Sequence, residues 1–156
     1  PSAGEVLVDG TNLNKLSLKW WKKQVSYIPQ NPNILNSSIM DNILLGNDKL
    51  NEQEASRLLQ TVGLDQKLKT TSLTILDPIE DNLSKGVKKK IHYARALAQN
   101  SKIFIIDDPF GYLDNQGVQI AQKLIESLKR ANKTIILFSD NNILSNVIDE
   151  NIIIGN

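Results

Sequence analysis

Two short apolar runs with an amphipathic stretch between them constrain the fold of this chain more than any other feature. The first run, Ile103–Ile106, ends at a pair of aspartates, and the second covers Thr134–Phe138. Continuous apolar runs of this length are typical of strands that are covered on both faces, as in a parallel sheet. Between the runs, apolar residues recur at helical spacing from Ile120 to Leu128. The order of strand, helix and strand therefore predicts an α/β sheet with right-handed crossovers.

Segments elsewhere in the chain extend this pattern. Alternating or β-rich segments bounded by turn residues indicate three further strands: Glu5–Gly10, Val25–Pro29 and Asn151–Ile154. Helical periodicity runs over 38–64 and 85–100, and the polar stretch 65–82 between them is predicted to be a loop. The helical residues between Ser38 and Asn100 are expected to form a lobe beside the sheet.

The composition is that of an ordinary soluble globular domain and excludes some kinds of site. Of the 156 residues, 40% are apolar and 22% are charged, and the net charge of +1 gives no reason to expect nucleic acid as a partner. Because the chain has no cysteine, disulfides and thiolate metal sites are excluded. No apolar run approaches the roughly 20 residues of a membrane helix. Since the sequence starts at Pro1 without a methionine, we expect an internal piece of a longer protein, whose membrane contact would come through another domain.

Three consecutive segments carry a resemblance to a known family. In order they read NLSKGVKKK over 82–90, ARAL over 94–97 and IFIIDD over 103–108. Aligned without a gap, they resemble the LSGGQ signature, the helix that follows it and the Walker B strand of ABC-transporter ATP-binding domains. We call residues 83–87 the signature segment.

Other segments match the same family in the same order. YIPQ at 27–30 resembles the Q-loop, SSIMDNI at 37–43 resembles the TIRENI run of ABC exporters, and LD at 113–114 lies where the D-loop ends. Residues 4–10 fit the GEILIDG segment that follows the first helix of such a domain. Each piece is weak alone, but their order and spacing together are specific, and the resemblance covers nearly the whole chain.

The resemblance implies a P-loop NTPase-like fold, which is a mostly parallel α/β sheet (the ABC ATPase core) with a helical subdomain. Residues 1–156 would be a partial nucleotide-binding domain. Its helical subdomain would cover about 36–100, and 1–35 and 101–156 would be parts of the core. The first strands and the P-loop helix of the family would precede Gly4 and are missing from this chain.

The resemblance also implies a catalytic and metal-binding group. Side chains at the carboxyl ends of parallel strands project into the crevice where α/β proteins bind ligands. Asp107 would hold the hydration shell of Mg²⁺, and Gln30 would reach the metal and the attacking water. Asp108 takes the place of the glutamate that polarises this water for attack on the γ-phosphate. Asp140 lies at the position of the histidine that contacts the γ-phosphate.

A second group would contact the nucleotide. It consists of Ser84, Lys85 and Gly86 in the signature segment, together with Asp114 at the end of the D-loop. Ser84 and the N–H of Gly86 lie at a predicted helix N-terminus, which favours anions. In the family, the signature segment reaches across a dimer to the γ-phosphate bound by the partner domain.

The sequence departs from the family pattern where phosphate is bound. The GxxGxGK[ST] loop, whose amides and lysine hold the β- and γ-phosphates, does not occur in the chain. Within the matched motifs, Lys85 replaces a glycine, Val87 a glutamine and Asp140 a histidine. The resemblance therefore implies ATP and Mg²⁺ in the parent protein, whereas we expect neither to be bound by this chain alone.

Three functions stay open at this point. The first is the ATP-driven motor of an ABC exporter, with a second nucleotide-binding domain and a transmembrane domain as partners at the cytoplasmic face of the cell membrane. The second is a catalytically silent ABC domain with an interaction or regulatory role, which the altered residues favour. The third is an ABC ATPase of DNA repair or translation, against which the exporter-type run at 37–43 and the near-neutral charge count.

Purely structural interpretations of the same residues also stay open. Asp107 and Asp108 would simply end a strand at the surface, and Ser84 would only cap its helix. Lys88–Lys90 are expected to form a solvated face. His92 is expected to be at the surface or partly packed, and not a ligand.

Overall fold

The structure is a computed structural model that describes residues 3–64, 83–140 and 143–153. The predicted loop at 65–82 lies outside these ranges. Within them the strands are β1 Leu7–Val8, β2 Thr11–Asn12, β3 Val25–Ile28, β4 Ile103–Asp107 and β5 Thr134–Phe138. The α-helices there are α1 Leu18–Gln24, α2 Ile39–Leu44, α3 Glu52–Thr61, α4 Lys85–Gln99 and α5 Asn115–Arg130, and a short 3₁₀ helix covers Leu13–Lys15.

β3, β4 and β5 form a parallel sheet in that order. The register aligns Ile28 with Ile106, and Ile106 with Leu137. The chain moves in the same direction across the sheet from β3 to β4 and from β4 to β5. Right-handed crossovers therefore place the connecting helices on one face of the sheet. The predicted parallel α/β arrangement is confirmed.

The strand predicted at Glu5–Gly10 is shorter than expected and is one arm of a hairpin. β1 pairs antiparallel with β2, so that Val8 lies opposite Thr11. Asp9 and Gly10 between them have φ angles of 48° and 76°. Two consecutive positive φ angles are what a two-residue type I′ hairpin turn requires.

The helical region predicted over 38–64 consists of α2 and α3. Each of these helices begins with a capping box: Ser38 with Asp41, and Asn51 with Glu54. Between the helices, Gly46 approaches α4 so closely that a Cβ atom there would overlap the carbonyl group of Arg95. Both α2 and α3 pack on α4, and α4 packs on β3. The helical lobe and the sheet therefore share α4.

A buried polar contact joins α2 to α4. Arg95 donates from Nε to the carbonyl oxygen of Asn42 at 2.7 Å and from a terminal nitrogen to Asn42 Oδ1 at 2.8 Å. The Asn42 side chain is fully buried and also donates to the carbonyl oxygens of Leu35 and Ser38. Asn42 thus satisfies polar groups of three segments at once.

The expectation that the apolar strands are covered on both faces is wrong for β5, whereas the second face of β4 is half-buried. Ser26, Ile28, Phe104 and Ile106 are buried on the face that carries the helices. On the opposite face, Tyr27 is 55% exposed, Ile136 44% and Phe138 49%. Both crossovers run on one side of the sheet, so no described helix covers the other. We call Tyr27, Ile136 and Phe138 the open face.

The strand predicted at Asn151–Ile154 is not formed by the residues that the structure describes there. Positions 151–153 have no strand pairing, and Ile152 and Ile153 are 76% and 88% exposed. Ile154 lies outside the described residues. An apolar run becomes a strand only where a neighbouring strand offers backbone partners, and none does so for these three residues.

The described helices do not include one that could span a membrane, because none combines sufficient length with sufficient apolar character.

Candidate functional site

The four residues predicted as catalytic or metal-binding follow the carboxyl ends of the three parallel strands. Gln30 comes two residues after β3, Asp107 ends β4 and Asp108 follows it, and Asp140 comes two residues after β5. Because Asp107 pairs with Phe138 and Ile28 with Ile106, these positions share one edge of the sheet. Gln30 and Asp140 are exposed, whereas Asp107 and Asp108 are half-buried.

Asp107 contacts the neighbouring strand through its side chain. Its Oδ2 accepts a hydrogen bond from the Tyr27 hydroxyl at 3.4 Å. Partial burial of that hydroxyl, with the charge of Asp107 and this hydrogen bond, raises the pKa of Tyr27 above its usual value. Tyr27 therefore stays a neutral donor beside the carboxylate.

Asp108 is held by the loop that follows β4. Its amide donates to the carbonyl oxygen of Phe138 at 2.9 Å, and its Oδ1 accepts from the amide of Gly111 at 3.1 Å. The backbone of Asp108 has a φ of 47°. A Cβ atom at Gly111 would overlap the Asp108 carboxylate, so glycine at this position lets the carboxylate lie against the turn.

Lys89 reaches the site from α4, and the prediction that it belongs to a solvated face is wrong. Its side chain is fully buried, and Nζ donates to the carbonyl oxygens of Pro29 at 2.8 Å and Asp107 at 2.9 Å. Burial lowers the pKa of Lys89, and the carboxylates of Asp108 and Asp107 oppose that shift. The two carbonyl groups explain how an ammonium is tolerated inside the protein.

Tyr93 lies one helical turn further along α4 and approaches the same loop. Its hydroxyl is buried and donates to the carbonyl oxygen of Pro109 at 2.8 Å. Burial raises the pKa of Tyr93 strongly, with a smaller contribution from the charge of Asp108. Tyr93 is therefore a neutral hydrogen-bond donor that fixes the loop after Asp108.

The signature segment packs against the loop between β4 and α5. Ser84 is exposed and caps α4, accepting from the amide of Val87 at 3.3 Å. Lys85 Nζ lies 4.4 Å from the centroid of the Tyr112 ring and 3.3 Å from its hydroxyl. A Cβ atom at Gly86 would lie 2.6 Å from the Tyr112 carbonyl oxygen, so glycine is needed at this contact.

Tyr112 also connects the signature segment to the residues after Gln30. Its hydroxyl donates to Asn31 Oδ1 at 2.9 Å, and its backbone has a φ of 66°. Lys85 is thus engaged within its own chain. Asp114 caps α5, with Oδ1 accepting from the amide of Gly117 at 2.7 Å.

His92 is buried, so the expectation that it lies at the surface or is partly packed underestimates its burial. It is 7% exposed, and Nε2 donates to the carbonyl oxygen of Asn33 at 2.6 Å. Burial lowers the pKa of His92, and the positive charges of Arg95 and Lys89 act in the same direction. This contact joins α4 to the segment that follows Gln30.

Sequence patterns did not point to Lys89, Tyr93, Tyr112 or Asn31. The burial of residues on α4 cannot be predicted from the helix alone, because α2 and α3 cover it on one side and the sheet covers it on the other. A lysine on such a helix looks like part of a charged face until both sides are seen to be covered. Tyr112 had one available signal, which is an aromatic residue between the aspartate pair and Asp114.

The residues present suit Mg²⁺ better than the phosphates of a nucleotide. Asp107 and Gln30 offer oxygen atoms of the kind that Mg²⁺ prefers. Within the described ranges no group of three or more His, Asp or Glu side chains could hold a metal ion, so other ligands would have to complete its shell. A cradle of amides with a lysine, which phosphates need, is not present in the sequence. Lys89 does not replace that lysine, since its ammonium is engaged by two carbonyl groups.

Comparison with known proteins finds one family along most of the chain. A family model described as ABC transporter matches residues 1–111. ABC transporter B family member 1 of Arabidopsis thaliana is 31% identical over 140 residues, which are 88% of this chain and 11% of that protein. A probable multidrug resistance ABC transporter ATP-binding/permease protein of Bacillus subtilis, YheH, is 27% identical over 137 residues, which are 86% of this chain and 20% of that protein. The chain thus spans only a small part of the relatives that it matches.

A solved structure resembles the fold closely. A bacterial Atm1-family ABC exporter with ATP bound superposes with a TM-score of 0.80 at 22% sequence identity. The match covers 94% of this chain and 26% of that chain.

Proposed function

The chain belongs to the ABC transporter family, and on that premise we propose that it is part of the ATP-binding and ATP-hydrolysing domain of an exporter. The observation that carries this proposal is the arrangement of Gln30, Asp107 and Asp108 at one edge of a parallel sheet, bonded through Lys89 to the helix of the signature segment. The exporter-type run at 37–43 supports the same proposal, since it forms the start of α2.

The proposed division of labour follows from the positions of the side chains. Asp107 and Gln30 would hold Mg²⁺, which supplies neutralisation of phosphate charge when it is bound. Asp108 and Asp140 lie where water and the γ-phosphate would be contacted. Residues 36–100 are proposed as the helical subdomain, and 1–35 with 101–156 as parts of the ATPase core.

The proposed partners are a second nucleotide-binding domain and a transmembrane domain, at the cytoplasmic face of the cell membrane. Ser84, Lys85, Gly86 and Asp114 are the residues proposed to approach the nucleotide of the partner domain. Ser84 and Lys85 are exposed, as that role requires. The surface beside Gln30 and α2 is proposed to receive the transmembrane domain, and exposed Leu35 and Leu45 offer apolar contact area there.

We also propose that the chain is part of a longer protein, as the small share of its relatives that it covers suggests, and ATP hydrolysis by that longer protein tests the function. Asp107→Asn is expected to lower the rate at least about tenfold, because the carboxylate next to the metal is lost. Asp48→Asn is the matched control, since Asp48 is exposed on the segment between α2 and α3. A rate in Asp107→Asn that equals the control would overturn the assignment of Asp107.

For the 156-residue chain alone we propose negligible affinity for ATP. Support comes from the missing phosphate loop and from the three carboxylates of Asp107, Asp108 and Asp140 at the same sheet edge, which repel a polyanion. Titration of the chain with Mg²⁺ and ATP by calorimetry should show no saturable heat. A dissociation constant in the micromolar range contradicts this proposal.

A catalytically silent domain is the second candidate function. It is favoured by two observations: the Asp108 carboxylate is bonded to the amide of Gly111, and Lys85 is engaged by Tyr112. In this case the longer protein hydrolyses no more ATP than its Asp107→Asn variant, although the chain remains folded. The same hydrolysis assay therefore decides between the two candidates.

A further inference from the structure

Two side chains one helical turn apart on α4 bind three carbonyl groups of the candidate site. Lys89 Nζ donates to Pro29 at 2.8 Å and to Asp107 at 2.9 Å, and the Tyr93 hydroxyl donates to Pro109 at 2.8 Å. The first carbonyl directly precedes Gln30, and the other two lie on either side of Asp108. The segment after β3, which carries Gln30, and the segment at the end of β4, which carries Asp107 and Asp108, are therefore both bonded to α4.

We propose that Lys89 is a positioning residue. It fixes the backbone segments that carry Gln30 and the Asp107–Asp108 pair relative to each other, and it attaches both segments to α4, the helix of the signature segment. The proposal rests on the proposed function, because the relative placement of the two segments matters for turnover only if their side chains serve a nucleotide site. The placement of the backbone itself can be measured without nucleotide.

The position of Lys89 coincides with the end of the β3–β4 ladder. The last paired residues are Ile28 and Ile106. The residue that follows β3 is Pro29, which has no N–H and cannot donate to a neighbouring strand. Immediately beyond this point, the ammonium group of Lys89 donates to the carbonyl oxygens of Pro29 and Asp107. It therefore extends the connection between the two strands by one further step, with a side chain in place of a backbone donor.

The chemistry of a buried ammonium argues for a positional role over simple packing. Removing a charge from water is costly, and an apolar side chain of similar length, such as methionine, would fill the same space without that cost. Hydrogen bonds from an ammonium are shorter and stronger than those from neutral donors.

The first test uses the 156-residue chain and compares Lys89→Met with Lys88→Met. Lys88 is half-buried on the same helix and provides the matched control. In Lys89→Met, the carbonyl-carbon NMR resonances of Pro29 and Asp107 should both move upfield, because both lose a hydrogen-bond donor. The amide of Asp108, which donates to Phe138, should exchange at least about tenfold faster, as expected for the loss of a charge-assisted bond. Unchanged resonances at either carbonyl would falsify the proposal.

Two further measurements keep the test decisive if Lys89→Met does not fold. Lys89→Gln retains a donor without the charge, and it should restore the resonance of at least one of the two carbonyl groups. In the unsubstituted chain, the ammonium protons of Lys89 should exchange with water much more slowly than those of Lys88. Equal exchange rates for the two lysines overturn the proposal without any substitution.

ATP hydrolysis by the longer protein separates this inference from the proposed function. If the unsubstituted protein hydrolyses ATP, Lys89→Met should lower kcat more than it changes KM, whereas Lys88→Met should leave both unchanged. If the unsubstituted protein does not hydrolyse ATP, the proposed motor function fails, and the carbonyl resonances still decide whether Lys89 positions the two segments.

Discussion

The carboxylate of Asp108 is subject to two opposing demands. In the turn after β4, it accepts a hydrogen bond from the amide of Gly111. The backbone of Asp108 has a φ of 47° there, which aspartate tolerates better than most residues. As a base, it would have to point away from this turn toward an attacking water. A glutamate at the same position would have one more methylene group with which to reach out.

Replacing Asp108 by asparagine and by alanine separates the turn from the charge. Asparagine keeps an oxygen acceptor for Gly111, so the free energy of unfolding should change by less than about 0.5 kcal/mol, whereas alanine should lower it by about 1–2 kcal/mol. Chemical denaturation of the 156-residue chain measures both values. Equal destabilisation by the two substitutions would show that the turn does not depend on the oxygen acceptor.

His92 is the only histidine of the chain, and its burial makes it sensitive to pH. Burial lowers the pKa of His92 below its usual 6.5, with the charges of Arg95 and Lys89 adding to the effect and the bond to Asn33 opposing it. Below pH 6.5 the unfolded chain takes up a proton that the folded chain does not bind. The contribution of neutral His92 is therefore complete above pH 6.5 and is lost as the pH falls below that value.

Proton NMR of the single imidazole ring should accordingly give a titration midpoint below 6.5 in the folded chain. Denaturation at a series of pH values should show unfolding free energy falling below pH 6.5, and less steeply in His92→Gln, which has no imidazole to protonate. A midpoint at or above 6.5 would contradict the burial of this ring.

At the scale of elements, local sequence patterns predicted the helices and strands whose formation depends mainly on neighbouring residues in the sequence. β4, α5 and β5 were predicted from apolar runs and helical spacing, which depend only on neighbours in sequence. The family resemblance implied that Gln30, Asp107 and Asp140 belong to one site, and the structure places them at one edge because parallel strands end on the same side. Lys89 could not be recognised, since its burial depends on carbonyl groups of Pro29 and Asp107, which are far from it in sequence. The strand predicted at the C-terminal end failed for the same reason, because pairing needs a partner.

The contact between Asn42 on α2 and Arg95 on α4 holds the helical lobe to the helix that it shares with the sheet. Asn42→Ala should lower the free energy of unfolding by about 3 kcal/mol, because it leaves several buried polar groups without partners. Asn36→Ala, at an exposed position before α2, should change it by less than about 0.5 kcal/mol.

A double-mutant cycle with Arg95→Met tests whether this contact is direct. A coupling energy of at least about 1 kcal/mol is expected between the two substitutions, because they remove two ends of the same hydrogen bonds. Additive effects would assign the loss of stability in Asn42→Ala to its other contacts, which include the hydrogen bonds to Leu35 and Ser38. Denaturant unfolding of the four variants supplies every value of the cycle.

At the scale of the whole molecule, the direction of the two crossovers has a consequence for association. Both place their helices on one face of the sheet, and the open face exposes Tyr27 on β3 and Ile136 and Phe138 on β5. Apolar side chains grouped in this way favour contact between molecules. The chain is therefore expected to self-associate as its concentration rises.

Ile136→Ser should raise the dissociation constant of this association at least about tenfold, since burying an isoleucine contributes more than about 1.4 kcal/mol. Ile153→Ser is the matched control: Ile153 is 88% exposed but lies outside the sheet, so its substitution should leave the association unchanged. Light scattering over a concentration series measures both. If Ile153→Ser weakens association as much as Ile136→Ser does, the C-terminal segment contributes to the contact. If the unsubstituted chain stays monomeric, the open face does not mediate association. Only a selective effect of Ile136 connects the association to the side of the sheet that the crossovers leave uncovered.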